Sequence, residues 1–151
     1  MSTRANIVFR EGKKYSIIYQ HYDGYPYYVL SFLYAFNKEY IDPYGAFHGL
    51  DYYTANFIFF SKLYLYRHLK SKDWLYYGYG INPANAVLTD CQYLYVFDVD
   101  THYIRVYDYW SKELLFEGKL EDIVEGMVKR SDVVRDLLNE FLEFFKDLKW
   151  C

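Results

Sequence analysis

A chain of 151 residues is long enough to bury a core without disulfide or metal staples, and short enough to make a single domain. With 24% aromatic residues, among them 21 Tyr and 12 Phe, it is excluded from the disordered class, which is poor in aromatics. The net charge of -3 rules out a whole-molecule electrostatic commitment to nucleic acid or anionic lipid. The charge is nevertheless uneven. Residues 1–72 carry nine Lys/Arg against five Asp/Glu, and residues 73–151 carry eight against fifteen.

Asn6 to Arg10 and Lys14 to Gln20 are short runs rich in Ile, Val, Phe and Tyr, separated by Glu11-Gly12-Lys13, and predict a β-hairpin. After Pro26 the spacing of Val29, Leu30, Leu33, Phe36 and Tyr40 predicts a helix over about 27–39, with proline in its first turn. Ile41-Asp42-Pro43-Tyr44-Gly45 has the composition of a helix-breaking turn. A second helix is expected from an Asp51 N-cap to about Lys70, aromatic nearly all round. Trp74 to Asn85 reads as a short strand or ordered loop. Tyr93–Val99, Tyr103–Tyr109 and Glu113–Glu117 predict a three-strand meander. Leu120 to Val128 follows helical spacing, and Ser131 is placed to cap a last helix through Lys149. The expected fold is therefore a single α+β domain over 1–151: an antiparallel sheet, built from the hairpin and the meander, with helices packed on one face.

Cys91 and Cys151 have neither a disulfide framework nor zinc-site spacing, which points to a reducing compartment. No basic segment followed by an apolar one opens the chain, and the longest uncharged runs fall short of a bilayer span. An intracellular protein without a membrane segment is expected. High Tyr, Phe and Lys with only two Gln suits a hyperthermophile.

The N-terminal Thr3-Arg4-Ala5-Asn6-Ile7, followed by Tyr19-Gln20-His21-Tyr22-Asp23-Gly24-Tyr25-Pro26, resembles a family of small uncharacterised proteins of phages, prophages and archaeal viruses. Members open with a T-R-x-x-I strand and continue with Y-x-H-x-D-G-Y-P after a second strand. The likeness covers about the first 26 residues, and Tyr22 stands where many relatives have Trp. It implies a viral or mobile-element origin, and with it a host cytoplasm, rather than an activity.

His21, Asp23 and Arg4, with His102 as a fourth member, are the candidate residues of a small hydrolase or nuclease: a general base, its orienting carboxylate and an anion clamp. Against that reading, Asp-Gly-Tyr-Pro is turn chemistry, and an Arg4–Asp23 pair would account for the arginine. Asp98-x-Asp100-x-His102 spells three possible metal ligands across an expected hairpin turn. Tyr22 and Tyr25 are candidate contact aromatics. Lys62, Arg67 and Lys70, interleaved with aromatics, are the candidate grip of a nucleic-acid-binding protein. No G-x-S-x-G, P-loop or dinucleotide-binding pattern occurs, and no cofactor is expected. The leading expectation is a virus-encoded binding protein acting by protein–protein contact or self-association, since Tyr is favoured at contact surfaces.

Overall fold

The computed structural model describes residues 3–44, 48–69, 71–75, 77–84 and 86–148. Runs rich in β-branched and aromatic residues give β1, Ala5–Glu11, and β2, Lys14–Gln20, paired antiparallel from Ala5↔Gln20 to Glu11↔Lys14. Their two-residue turn places Gly12 at φ +61°, a conformation glycine adopts without steric cost.

Pro26 opens α1, Pro26–Phe36, and the carbonyl of Tyr25 receives the N–H groups of Tyr28 and Val29. Of the turn expected at 41–45, residues 41–44 do not break the coil, and Gly45 lies outside the described residues. The coil widens into one π-helical turn, Asn37–Ile41, and a last α-turn, α2, Asp42–Tyr44. The Asp42 N–H reaches back five residues to the Asn37 carbonyl. Proline has no N–H to offer and clashes with a normal helical turn before it, so a wide turn ahead of Pro43 lets the chain keep coiling.

The next helix, α3, spans Leu50–His68. Asp51 is not its N-cap: Gly49 holds that position, and the Asp51 carboxylate accepts from the adjacent Tyr52 N–H. A single 3-10 turn at Lys72–Leu75 leads to the short strand β3, Tyr79–Ile81. The meander follows as β4, Tyr93–Asp98, β5, Tyr103–Asp108, and β6, Glu113–Lys119. Then come α4, Leu120–Arg130, and α5, Asp132–Asp147, separated by Ser131, whose hydroxyl accepts from the Val134 N–H as expected of a cap. Lys149, the expected end of α5, lies outside the described residues.

The six strands run in the order β3-β2-β1-β4-β5-β6. Purely antiparallel pairing is corrected at one place. β1 runs parallel to β4, Ala5↔Tyr93 through Arg10↔Asp98, because everything between them returns the chain to the same end of the sheet. Register then fixes the faces. Ala5, Ile7, Phe9, Ile18, Tyr95, Phe97, Ile104 and Val106 point to the helices and are buried.

The aromatic excess fills the space between sheet and helices. Phe9 of β1 meets Tyr53 and Phe57 of α3 edge-on, with ring centroids 5.1 and 5.2 Å apart. Phe32 and Phe36 of α1 touch Phe57 of α3 on one side and Phe145 of α5 on the other. Edge-to-face pairs of this kind add about 0.5–1.5 kcal/mol each beyond burial. α1 is thus covered on both sides; α3 is covered on one.

Candidate functional site

Three places hold the residues that chemistry would single out: the β2–α1 corner, the β4–β5 turn, and α3 with its neighbours.

At the corner, strand β2 ends at Gln20 and the chain must reverse into α1. Asp23 takes the left-handed conformation, φ +61°. The Gly24 N–H donates to the Thr3 carbonyl at 3.0 Å, and the buried Tyr95 hydroxyl donates to the Gly24 carbonyl at 2.6 Å. A Cβ on Gly24 would lie 2.9 Å from both the Thr3 oxygen and the Ala5 Cβ, so only glycine fits. The corner is therefore a latch that ties the start of β1, β4 and α1 together.

The polar candidates meet there only in part: Arg4 and His21 both approach Tyr19, and Asp23 lies apart from them. Arg4 forms its ion pair with Asp90 at 2.7 Å, not with Asp23, which corrects the expected Arg4–Asp23 link. His21 shares a 2.6 Å hydrogen bond with the Tyr19 hydroxyl through Nδ1. Burial raises the Tyr19 pKa, partly offset by the nearby Arg4 guanidinium. Asp23 lies instead near Tyr27 and Tyr28, where partial burial holds its carboxyl above the usual carboxylate range. Tyr22 packs its ring between His21 and Tyr77, and Tyr25 stacks on Tyr27 at 5.3 Å.

The run Asp98-x-Asp100-x-His102 leaves the strand after Asp98, so its three side chains do not share a face. The Asp98 carboxylate accepts the Asp100 and Thr101 N–H groups, closing the turn. His102, at φ +63°, points away to Glu121 of α4, with Nδ1 2.6 Å from the carboxylate. Among the described residues no group of three or more His, Cys, Asp or Glu could hold a metal ion. Cys91 is buried, and that burial pushes its thiol pKa up to about 11, the reverse of an activated nucleophile.

The expected basic grip on α3 is also redirected. Lys62 folds its ammonium onto the carbonyls of Trp74, Leu75 and Tyr77, and burial lowers its pKa. Arg67 lies over the Phe144 ring, 5.7 Å from its centroid, in a groove that Glu140, Glu143 and Asp147 also line. Lys70 lies outside the described residues.

What α3 presents instead is apolar. Tyr52, Phe59 and Tyr66 are 61%, 54% and 60% exposed, and each is seven residues from the next. A spacing of seven returns to nearly the same side of a helix, so the three rings form one stripe. Tyr66 is braced edge-on by Trp74 at 5.4 Å. The seven-residue interval is visible in the sequence, but only the fold tells which of the helix's many aromatics remain outside. Arg10 and Tyr15 were equally open to view: hairpin pairing places them opposite each other on the sheet face away from the helices.

Comparison with family models, curated proteins and solved structures finds no match. No helix among the described residues is long and apolar enough to cross a membrane.

Proposed function

We propose that this chain is a non-enzymatic binding protein that associates with a second copy of itself through the exposed face of α3. One observation carries the reading: the stripe Tyr52, Phe59, Tyr66 is the same read in either direction. A two-fold contact needs a surface complementary to itself. Two antiparallel α3 helices crossing at Phe59 meet that condition, with Tyr52 of each beside Tyr66 of the other. The slow drift of a seven-residue repeat around a straight helix offsets those tyrosines to opposite sides of the seam, so they pack side by side.

The charges near the stripe support the same reading. Lys62 and Arg67, the two described cations of the helix surface nearest to it, are both turned away, onto backbone carbonyls and onto Phe144. The helix is 19 residues long, about 28 Å. One such face buries less than the ~800 Å² per partner of a standard interface, so a reversible dimer is expected rather than a permanent one. The N-terminal motif supports a viral setting inside a host cell for this protein, and the separation of the Asp23 carboxylate from Arg4 and His21, with neither of which it pairs among the described residues, supports binding over catalysis.

Sedimentation equilibrium over a range of concentrations tests the proposal. Because residue 59 would face itself across the two-fold axis, Phe59→Glu sets two carboxylates against each other and should give a monomer that melts as the wild type does at concentrations where the wild type is dissociated. Phe59→Tyr should remain dimeric. A wild-type chain that stays monomeric up to ~1 mM, where a contact worth only about 4 kcal/mol is already half formed, overturns the proposal.

A further inference from the structure

We propose that the outer face of the sheet, turned away from the helices, carries a binding site for single-stranded nucleic acid, built on Arg10, Lys13 and Tyr15. The site uses none of the residues of the α3 contact and stands or falls separately from it.

A groove of about 520 Å³ lies between the β1–β2 hairpin and the segment that crosses the sheet before β4. Its floor is apolar, made by Val8 and Ile17, which are paired across the two strands. The far wall is Ala86 and Val87. That wall is fixed in place because the fully buried Asn6 side chain donates to the Leu88 carbonyl at 2.9 Å and accepts from the Leu88 N–H at 3.2 Å. Tyr15, 53% exposed, stands beside Arg10 in the pair register, and Lys13 projects from the turn between the strands.

The groove is lined by two cations and no carboxylate. Among the described residues neither Arg10 nor Lys13 has an ion-pair partner, whereas Arg105, further along the same face, is neutralised by Glu117 at 2.6 Å. Asp98, the neighbour of Arg10 on β4, accepts two turn N–H groups through Oδ1 and forms no ion pair with Arg10; its single negative charge leaves the two cations in excess. The occupant must therefore be anionic, and it must offer a flat apolar group to an exposed phenol ring over an aliphatic floor. A base with its flanking phosphates has both properties, and stacking of bases on aromatic side chains beside cations is how single strands are held. A free nucleotide fits less well. The groove is open along the sheet, while small-molecule sites enclose most of their ligand. A duplex hides its base faces from Tyr15.

Fluorescence anisotropy with a labelled oligothymidylate of roughly 12 nucleotides, inside the usual range of site sizes, tests this. Wild-type protein should bind at low salt, with affinity falling as salt rises. Tyr15→Ala should weaken binding by roughly 5- to 160-fold, the loss of one stacked base, and Tyr15→Phe, which keeps the ring, should bind as wild type. Replacing Arg10 and Lys13 by Gln should flatten the salt dependence by about 0.7 in log–log slope for each phosphate contact removed. Since Tyr15 is more than half exposed, its variants should melt as wild type does. The proposal is overturned by no binding at low salt, or by undiminished binding of Tyr15→Ala. It is equally overturned if thymidine monophosphate, a duplex of the same length or a polyglutamate peptide binds as tightly as the oligothymidylate with the same dependence on Tyr15.

Discussion

Gly24→Ala should be the most damaging single methyl that can be added to this protein. Gly24 is not in the left-handed region, so alanine meets no backbone penalty there, and stiffening the unfolded chain would by itself favour alanine by about 0.4–1 kcal/mol. Opposing it, the new Cβ falls 2.9 Å from the Thr3 carbonyl oxygen and 3.1 Å from the Arg4 carbonyl carbon, backbone atoms that cannot swing aside. Overpacking of this kind costs roughly 1–3 kcal/mol. Any shift that relieves it stretches two hydrogen bonds, Gly24 N–H to Thr3 and Tyr95 to Gly24, each worth about 1 kcal/mol. The balance is a destabilisation of about 2–4 kcal/mol. Urea unfolding should show a lower midpoint at unchanged slope. Adding Ala5→Gly removes one of the two closest contacts and should recover part of the loss, as neighbouring sites do when they couple. A midpoint for Gly24→Ala at or above wild type would refute the latch, because only the unfolded-state effect would then remain.

Two further outcomes follow from the same geometry. Burial holds the phenols of Tyr28, Tyr53, Tyr64, Tyr79 and Tyr95 well above the ordinary value. Above pH ~10 the unfolded chain sheds these protons while the folded chain keeps them, so the folded state binds more protons and stability falls as pH rises. Absorbance of ionised tyrosine should therefore rise in two stages, with these buried phenols contributing only as the chain unfolds; a single smooth titration near pH 10 would contradict the packing. Asn6→Ala removes both hydrogen bonds to Leu88 and leaves two backbone groups unpaired, which should cost roughly 2–3 kcal/mol in thermal or urea unfolding and weaken oligothymidylate binding by freeing the groove wall.

Much of the architecture was legible because local patterns set it. Runs of β-branched and aromatic residues between turn residues mark the hairpin and the meander, helical spacing marks α1, α4 and α5, and the Ser131 cap is read correctly from one residue. What escaped is what depends on neighbours distant in sequence. Periodicity tells which face a strand buries, not which strand lies beside it, so the parallel β1–β4 pair was missed. The continuous burial of Ala5 to Phe9 is the mark of a central strand, but it is visible only in the fold, because the polar Asn6 interrupts the apolar run in the sequence. Pro43 looked like a stop because a wide helical turn before it cannot be read from composition. At the candidate site, the turn roles of Asp23 and Gly24 were visible in their residue types. The partner of Arg4 was not, lying 86 residues away at Asp90. Likewise, Lys62 and Arg67 read as free cations until the carbonyls and the ring that hold them came into view.

The one parallel pairing also sets a timetable. On the ribosome, β1 cannot gain its second neighbour until the chain has been made as far as Asp98, and at 5–20 residues per second that leaves its edge open for several seconds. An exposed strand edge of that length invites pairing with other chains. During the wait, α3 is already available: Phe9 can settle between Tyr53 and Phe57 once residue 68 has emerged, long before β4 arrives. The aromatic side chains that later form the centre of the core would thus first serve as a shield for the nascent hairpin.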